Sequence, residues 1–235
     1  MPRSARLVCP DYPLHVMSRG NNRQPIFWND DEKSYFRFLL YHHMNGNGIS
    51  IYHYCLMNNH IHLILQVEES GNLAKFMKQV FLSYYHLFKN RHDYVGHLVQ
   101  GRFKSIIVDS ESYFLQCGKY IELNPVRGGL SQNPADYRFS SFNYYAQGIP
   151  DPLVTPNPLY LTMGKSGGER QSRYAEMVVD KSIVNSEILG SLLFFGSEEF
   201  VKNMELRYGL KNVRAKRGRP RNHDTEKKGD ASIFL

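Results

Sequence analysis

The sequence predicts a mixed α/β (α+β) fold whose antiparallel central sheet belongs to a ferredoxin-like split βαβ core. Three observations predict it. Runs of strand length rich in β-branched and aliphatic residues alternate with longer stretches of helical spacing, in the order strand, helix, two strands, helix, strand. Asn58-Asn59 lies between the two middle strands and suits a tight hairpin turn. With 42% hydrophobic and 22% charged residues over 235 positions, the chain can build one well-packed core and a smaller appendage.

The first strand is Leu14 to Ser18, ending in the basic, turn-forming Arg19-Gly20-Asn21-Asn22-Arg23. Asp30 or Asp31 then caps a helix to about Met44, because Tyr35, Phe36, Leu39, Leu40 and His43 recur at helical spacing before Asn45-Gly46-Asn47-Gly48 stops it. Ile49 to Met57 and His60 to Gln66 form the central hairpin. Asn72 to about Arg91 places Leu73, Phe76, Met77, Val80, Phe81 and Tyr84 on one helical stripe. Phe103 to Val108 is the fourth strand, and Tyr113 to Asn124 a helix stopped by Pro125. Pro134 to Tyr145 reads as an irregular, aromatic-rich segment packed back on the core. After the proline-rich stretch 150–158, helical patterns run over about 168–180 and 186–208. The expected division is therefore a catalytic domain over 1–149, a helical appendage over 150–210 and a basic tail over 211–235.

Composition narrows the function. No apolar run approaches the roughly 20 residues of a membrane span, and Met1 to Pro10 has no apolar signal-peptide core. The cytoplasm is the expected compartment, with no membrane partner. Cys9, Cys55 and Cys117 are too few and too scattered for a disulfide framework and read as reduced, mostly buried small hydrophobes. A net charge of +7 points to a polyanionic partner. Lys211 to Lys228 holds eight positives against two negatives, a tail expected to be disordered until it meets that partner. Within it, Arg217-Gly218-Arg219-Pro220 resembles the core of an AT-hook, which lays arginines in a narrow minor groove; general attraction to DNA is the other reading.

The chemistry resides in two short patterns. Side chains alternate faces along a strand, so His60 and His62 point the same way and can chelate a divalent metal once a third ligand arrives. With ten histidines in the chain, an ordinary strand carrying two surface histidines also fits, and both are expected to face solvent. Tyr120 and Asn124 stand four residues apart, on one helix face within a turn of each other. A tyrosine beside a metal-bound phosphate can attack phosphorus covalently; a core tyrosine with an Asn C-cap is the alternative. Tyr84 and Tyr85 are rival nucleophiles, but Phe88 and Lys89 stand where an Asn or Gln would follow.

Three linked blocks carry a resemblance. Met57-Asn58-Asn59-His60-Ile61-His62-Leu63, the stretch Gly96 to Ser105 containing Gln100-Gly101-Arg102-Phe103-Lys104, and Tyr120-Ile121-Glu122-Leu123-Asn124-Pro125-Val126-Arg127 resemble, in order and spacing, the REP-associated tyrosine transposases. These are HUH transposases with one catalytic tyrosine. Ser18 to Arg23 and Ser140-Ser141 near Tyr137 fit the same pattern, so the likeness covers about residues 12–145. The resemblance implies that His60 and His62 are the HUH histidines, Tyr120 the nucleophile and Asn124 the third metal ligand. It implies a DNA strand transferase, acting as a site-specific single-stranded DNA endonuclease at palindromic repeats that fold into hairpins, through a 5′-phosphotyrosine. Mg²⁺ or Mn²⁺ is the implied cofactor, with Mn²⁺ well suited to two nitrogen ligands. Family members occur as monomers and dimers, so a homodimer is compatible.

Arg19, Arg23, Arg102, Lys104 and Arg127 flank the motifs and are candidate phosphate contacts, joined in the tail by Arg217 and Arg219. Two competitors stand beside the transferase: a domesticated protein that binds DNA or RNA hairpins without cutting, and a metal-dependent phosphodiesterase that uses water in place of tyrosine.

Overall fold

A computed structural model describes residues 7–110, 112–179 and 192–213. Five strands form one sheet in the order β2-β3-β1-β4-β5. They are β1 (Leu14–Arg19), β2 (Ile49–Met57), β3 (His60–Val67), β4 (Lys104–Val108) and β5 (Phe194–Phe195). β1 runs antiparallel to both β3 and β4, and β2 pairs antiparallel with β3 across the Asn58-Asn59 turn. This is the expected split βαβ arrangement, with β5 added parallel to β4 at one edge.

Helices α1 (Asp30–Met44) and α2 (Asn72–His92) pack against each other on the sheet face that receives Leu14, Val16, Ile61, Leu63, Leu65 and Ile107. These residues are buried and alternate with the residues facing the other way, as the strand period requires. The cap of α1 is Asn29, whose side chain accepts the Glu32 N–H at 3.0 Å, and not Asp30 or Asp31, which lie inside the first turn. There their carboxylates face the positive end of the helix dipole.

The opposite face is covered by α3 (Ser112–Glu122), which packs on β2, β3 and β4. The predicted single helix to Asn124 is instead two pieces: α3 ends at Glu122, and a one-turn helix α4 (Asn124–Arg127) begins with Pro125 in its first turn. Proline is admitted there because the first-turn N–H groups have no helical partner to lose. Within the stretch expected to be irregular, Phe142–Gln147 forms a short helix, α5. Beyond it lie α6 (Pro158–Thr162), α7 (Gly167–Val179) and α8 (Glu198–Tyr208). The helical pattern expected over 186–208 is thus replaced at its described end by β5 before α8 begins; its first part, and the tail with Arg217 and Arg219, lie outside the described residues. The three cysteines are free and buried. No helix among the described residues is long and apolar enough to cross a membrane.

Residues 150–179 pack against α3 from behind. Glu122, wholly buried, accepts from Tyr174 Oη at 2.7 Å and from Ser141 Oγ at 2.5 Å, and lies 3.1 Å from His53 Nδ1. Asn157 Nδ2 meets His53 Nε2 at 3.1 Å. A buried carboxylate is tolerable only with such partners. Gly118 lets the two layers approach, since a Cβ there would sit 2.7 Å from His53 Cε1. His53 is wedged among Glu122, Asn157 and Tyr145 and cannot retreat. Gly118→Ala should therefore destabilise the protein by about 1–3 kcal/mol through overpacking, read as a lower urea midpoint with unchanged slope.

Candidate active site

β1 and β3 set the floor of the site. In their antiparallel register Met17 is opposite His62 and Arg19 opposite His60, while Met17 also faces Lys104 across β4. Residues directly opposite share a face, so both histidines, Arg19 and Lys104 look toward the side covered by α3. A cleft of about 580 Å³ opens there. His60, His62, Tyr120 and Asn124 all line it, and so do Arg19, Arg23, Arg102, Lys104 and Arg127. Nine residues singled out in the sequence, spread from position 19 to 127, thus share one cavity with no acidic side chain in its wall.

The histidines are less open than expected. His60 is half-buried, and His62 is only 2% exposed, because α3 brings Tyr120 over it and His15 stacks on it from β1. Burial, with His15, His60 and Arg19 adding repulsion, holds the His62 imidazolium well below its usual pKa. Burial and then Arg19 push His60 down to about 4. Both rings are therefore neutral near pH 7, the state a metal ligand requires. His60 Nδ1 meets Asn59 Oδ1 at 2.6 Å; the oxygen can only accept, so the proton is on Nδ1 and the lone pair on Nε2. His62 Nδ1 lies 2.9 Å from His15 Nε2, and in the tautomer where His62 donates, its Nε2 is likewise a lone-pair donor.

Tyr120 stands edge-on to His62, ring centroids 5.9 Å apart at 87°, with the Arg127 guanidinium 5.1 Å over its ring. Burial raises its phenol pKa; Arg127, Arg19 and a side-chain bond from Asn124 pull against that rise. Asn124 is anchored through Nδ2, which donates to the carbonyls of Tyr120 at 3.1 Å and Ile121 at 3.2 Å, leaving Oδ1 as the end of the carboxamide able to serve a cation. Among the described residues no three His, Cys, Asp or Glu side chains come together as a metal site. The donor set of two imidazoles and one carboxamide oxygen still fits a divalent ion with positions left for substrate oxygens.

The loop bearing Arg102 is zipped to the end of β1, with Asn21 N–H donating to Leu98 O at 3.0 Å and Gln100 N–H to Arg19 O at 2.8 Å. On the other side Gly20 makes a turn so tight that a Cβ would lie 2.0 Å from Gln24 O. Arg23 is held there at φ +63°, a conformation non-glycine residues seldom adopt and that recurs at binding sites. His15 escaped the sequence reading; its alternation with Met17 and Arg19 is the signal that could have placed it on this face. Tyr84 is excluded from the cleft, buried on the other side of the sheet where its hydroxyl donates to Ile26 O at 2.6 Å; Tyr85 does not line it either.

Because His62 is packed and His60 is not, His62→Ala should lower stability on the order of 2–4 kcal/mol, as a cavity in a filled site does, and His60→Ala clearly less, both measured by urea unfolding. The depressed His60 pKa also has a sign. Between about pH 6.5 and 4 the unfolded chain takes up a proton that the folded ring refuses, so metal-free stability should fall across that window and level off below it; in His60→Ala the fall should be smaller.

Comparison with known proteins bears on the family and the fold. Residues 9–124 match the family described as transposase IS200 like. A solved structure of a REP-associated tyrosine transposase bound to a REP hairpin shares the fold, with a TM-score of 0.54 at 16% identity, over 66% of this chain and 92% of that one. No curated protein matches the chain. The matched segment holds the strands and helix that build the cleft, and residues 9–124 belong to the IS200-like transposase family.

Proposed function

We propose that this DNA transposase cuts and rejoins single-stranded DNA at hairpin-forming palindromic repeats through a 5′-phosphotyrosine on Tyr120. The observation that carries the reading is the convergence of Tyr120, His60, His62 and Asn124 on one cationic cleft. Hairpin DNA as the partner follows the relative of like fold, which was solved with a REP hairpin.

Arg19, Arg23, Arg102 and Lys104 grip the strand by its phosphates, which orients it without reading sequence. His60, His62 and Asn124 would hold a divalent cation, Mg²⁺ or Mn²⁺, which when bound polarises the scissile phosphate. Tyr120 Oη forms a bond to phosphorus as the bond from phosphorus to the 3′-oxygen breaks. The phenol proton passes to solvent, and the departing oxygen takes one up as a free 3′-hydroxyl. Arg127, on the Tyr120 ring, favours the phenolate that the step requires. The covalent link keeps the phosphodiester energy, so a second 3′-hydroxyl can attack it, release Tyr120 and rejoin strands without a nucleotide cofactor. His15 is a positioning residue, holding His62 by stacking and a hydrogen bond.

Tyr120→Phe removes only the attacking oxygen, so hairpin binding and fold should survive while the covalent adduct disappears. Mass spectrometry of the trapped adduct decides: DNA on Tyr84 or Tyr85 overturns the assignment, and cleavage without any adduct favours a water-using phosphodiesterase. Asn124→Ala should weaken metal binding and be partly rescued by raised Mn²⁺. Removing residues 211–235, with Arg217 and Arg219, should weaken binding to all sequences and flatten its salt dependence, leaving the cut position unchanged.

A further inference from the structure

Beside the cleft lies a second concavity of about 570 Å³, lined by Gln24, Pro25, Phe27, Trp28, Asn58 and Tyr94, within the usual size of a ligand pocket. Its floor is a tryptophan that is 58% exposed yet rigidly held. The Trp28 main-chain N–H donates to Glu32 Oε2 at 2.7 Å, and Glu32, fully buried, also binds His92 Nε2. The His92 ring in turn lies against the indole, centroids 4.1 Å apart at 37°, and Phe88 meets it edge-on at 5.5 Å. A buried carboxylate thus fixes the main chain of Trp28 and the His92 ring, and two aromatic rings brace an indole that is otherwise largely left in water. Exposing so large an apolar ring does nothing for the core, but a fixed aromatic face is what a flat ligand stacks on.

Two exposed carboxamides, Gln24 and Asn58, stand at the wall, each with donors and an acceptor. Two chain neighbours link the walls of pocket and cleft: Gln24 follows Arg23, and Asn58 follows Met57, both cleft residues. Ile26 N–H and Phe27 N–H both donate to Asn58 O, at 2.8 and 3.0 Å, fastening the pocket to the hairpin turn that carries His60.

From this we infer a second binding site: a pocket that takes one unpaired nucleobase of the bound DNA strand, stacked on Trp28 and read along its edge by Gln24 and Asn58. The inference rests on the DNA reading of the cleft and adds to it. A nucleobase has the two features the pocket matches, a π-face and an edge of donors and acceptors. Its backbone would continue over Arg23 into the cationic cleft.

The chain contains a single tryptophan, so indole emission reports this pocket alone. The probes are labelled DNA stem-loops carrying single-stranded oligo(dA), oligo(dC), oligo(dG) or oligo(dT) flanks on either side, and the same stem-loops with abasic flanks, titrated into the full chain. At least one flanked hairpin should quench the emission, and its abasic counterpart should bind, by anisotropy, without quenching. Trp28→Ala should lose about 10-fold in affinity for the flanked hairpin, the stacking of one base, and little for the abasic one, while Trp28→Phe keeps most of the affinity. Flanked hairpins that bind with unchanged emission, and bind Trp28→Ala as tightly as the unaltered chain, overturn the pocket and leave the transferase reading standing. If no stem-loop binds at all, the DNA reading of the cleft falls, and the pocket with it.

Discussion

The pairing register of β1 with β3 is the constraint on which the site depends. It puts Met17 beside His62 and Arg19 beside His60, and thereby chooses which sheet face carries imidazoles and which carries Val16, Ile61 and Leu63. A slip of one residue would turn the histidines into the α1 and α2 layer and the aliphatic residues out under α3. The burial of one face therefore enforces the chemistry of the other. The two amides of the hairpin turn secure the same register from outside, Asn58 through its carbonyl and Asn59 by accepting the Gly20 N–H at 2.8 Å and holding His60 Nδ1.

On that frame α3 works on two sides at once. Tyr120 and Asn124 look into the cleft, and Glu122, between them in sequence, looks back to His53, Ser141 and Tyr174. The segment after residue 150 is thus tied to the helix of Tyr120 by hydrogen bonds that a purely apolar contact could not direct. Rotating α3 to move the phenol would break a buried carboxylate away from its donors. The orientation of Tyr120 is in this way specified from behind, by residues outside the cleft.

Legibility in the sequence followed periodicity. The seven main elements from β1 to α3 were readable because each has enough residues for a period of 2 or 3.6 to declare itself; β5, two residues long, has none. Asn29 rather than Asp30 as cap, and the break between α3 and α4, were missed because neighbouring residues of like propensity compete within one turn, where element ends are least defined. At the site, the spacing of His60 with His62 and of Tyr120 with Asn124 was legible, since the partners of each pair lie within four residues of one another. His15, Glu122 as an anchor and the Trp28 pocket were not. Their meaning comes from partners about 30 to 70 positions away, joined only by the fold.

The hydrogen bond from Asn124 Nδ2 to the carbonyl of Ile121 has a consequence for its neighbour. That carbonyl is the acceptor a main-chain N–H at position 125 would claim in an unbroken helix, and Pro125 has none to offer. The ring thus keeps the acceptor open for the carboxamide and keeps the carboxamide turned the right way round. Any other residue at 125 would bring a rival donor and leave the carboxamide held by the Tyr120 carbonyl alone. Pro125 thus governs the donor set from a position where it contributes no donor of its own, and Asn124 and Pro125 behave as a single two-residue part.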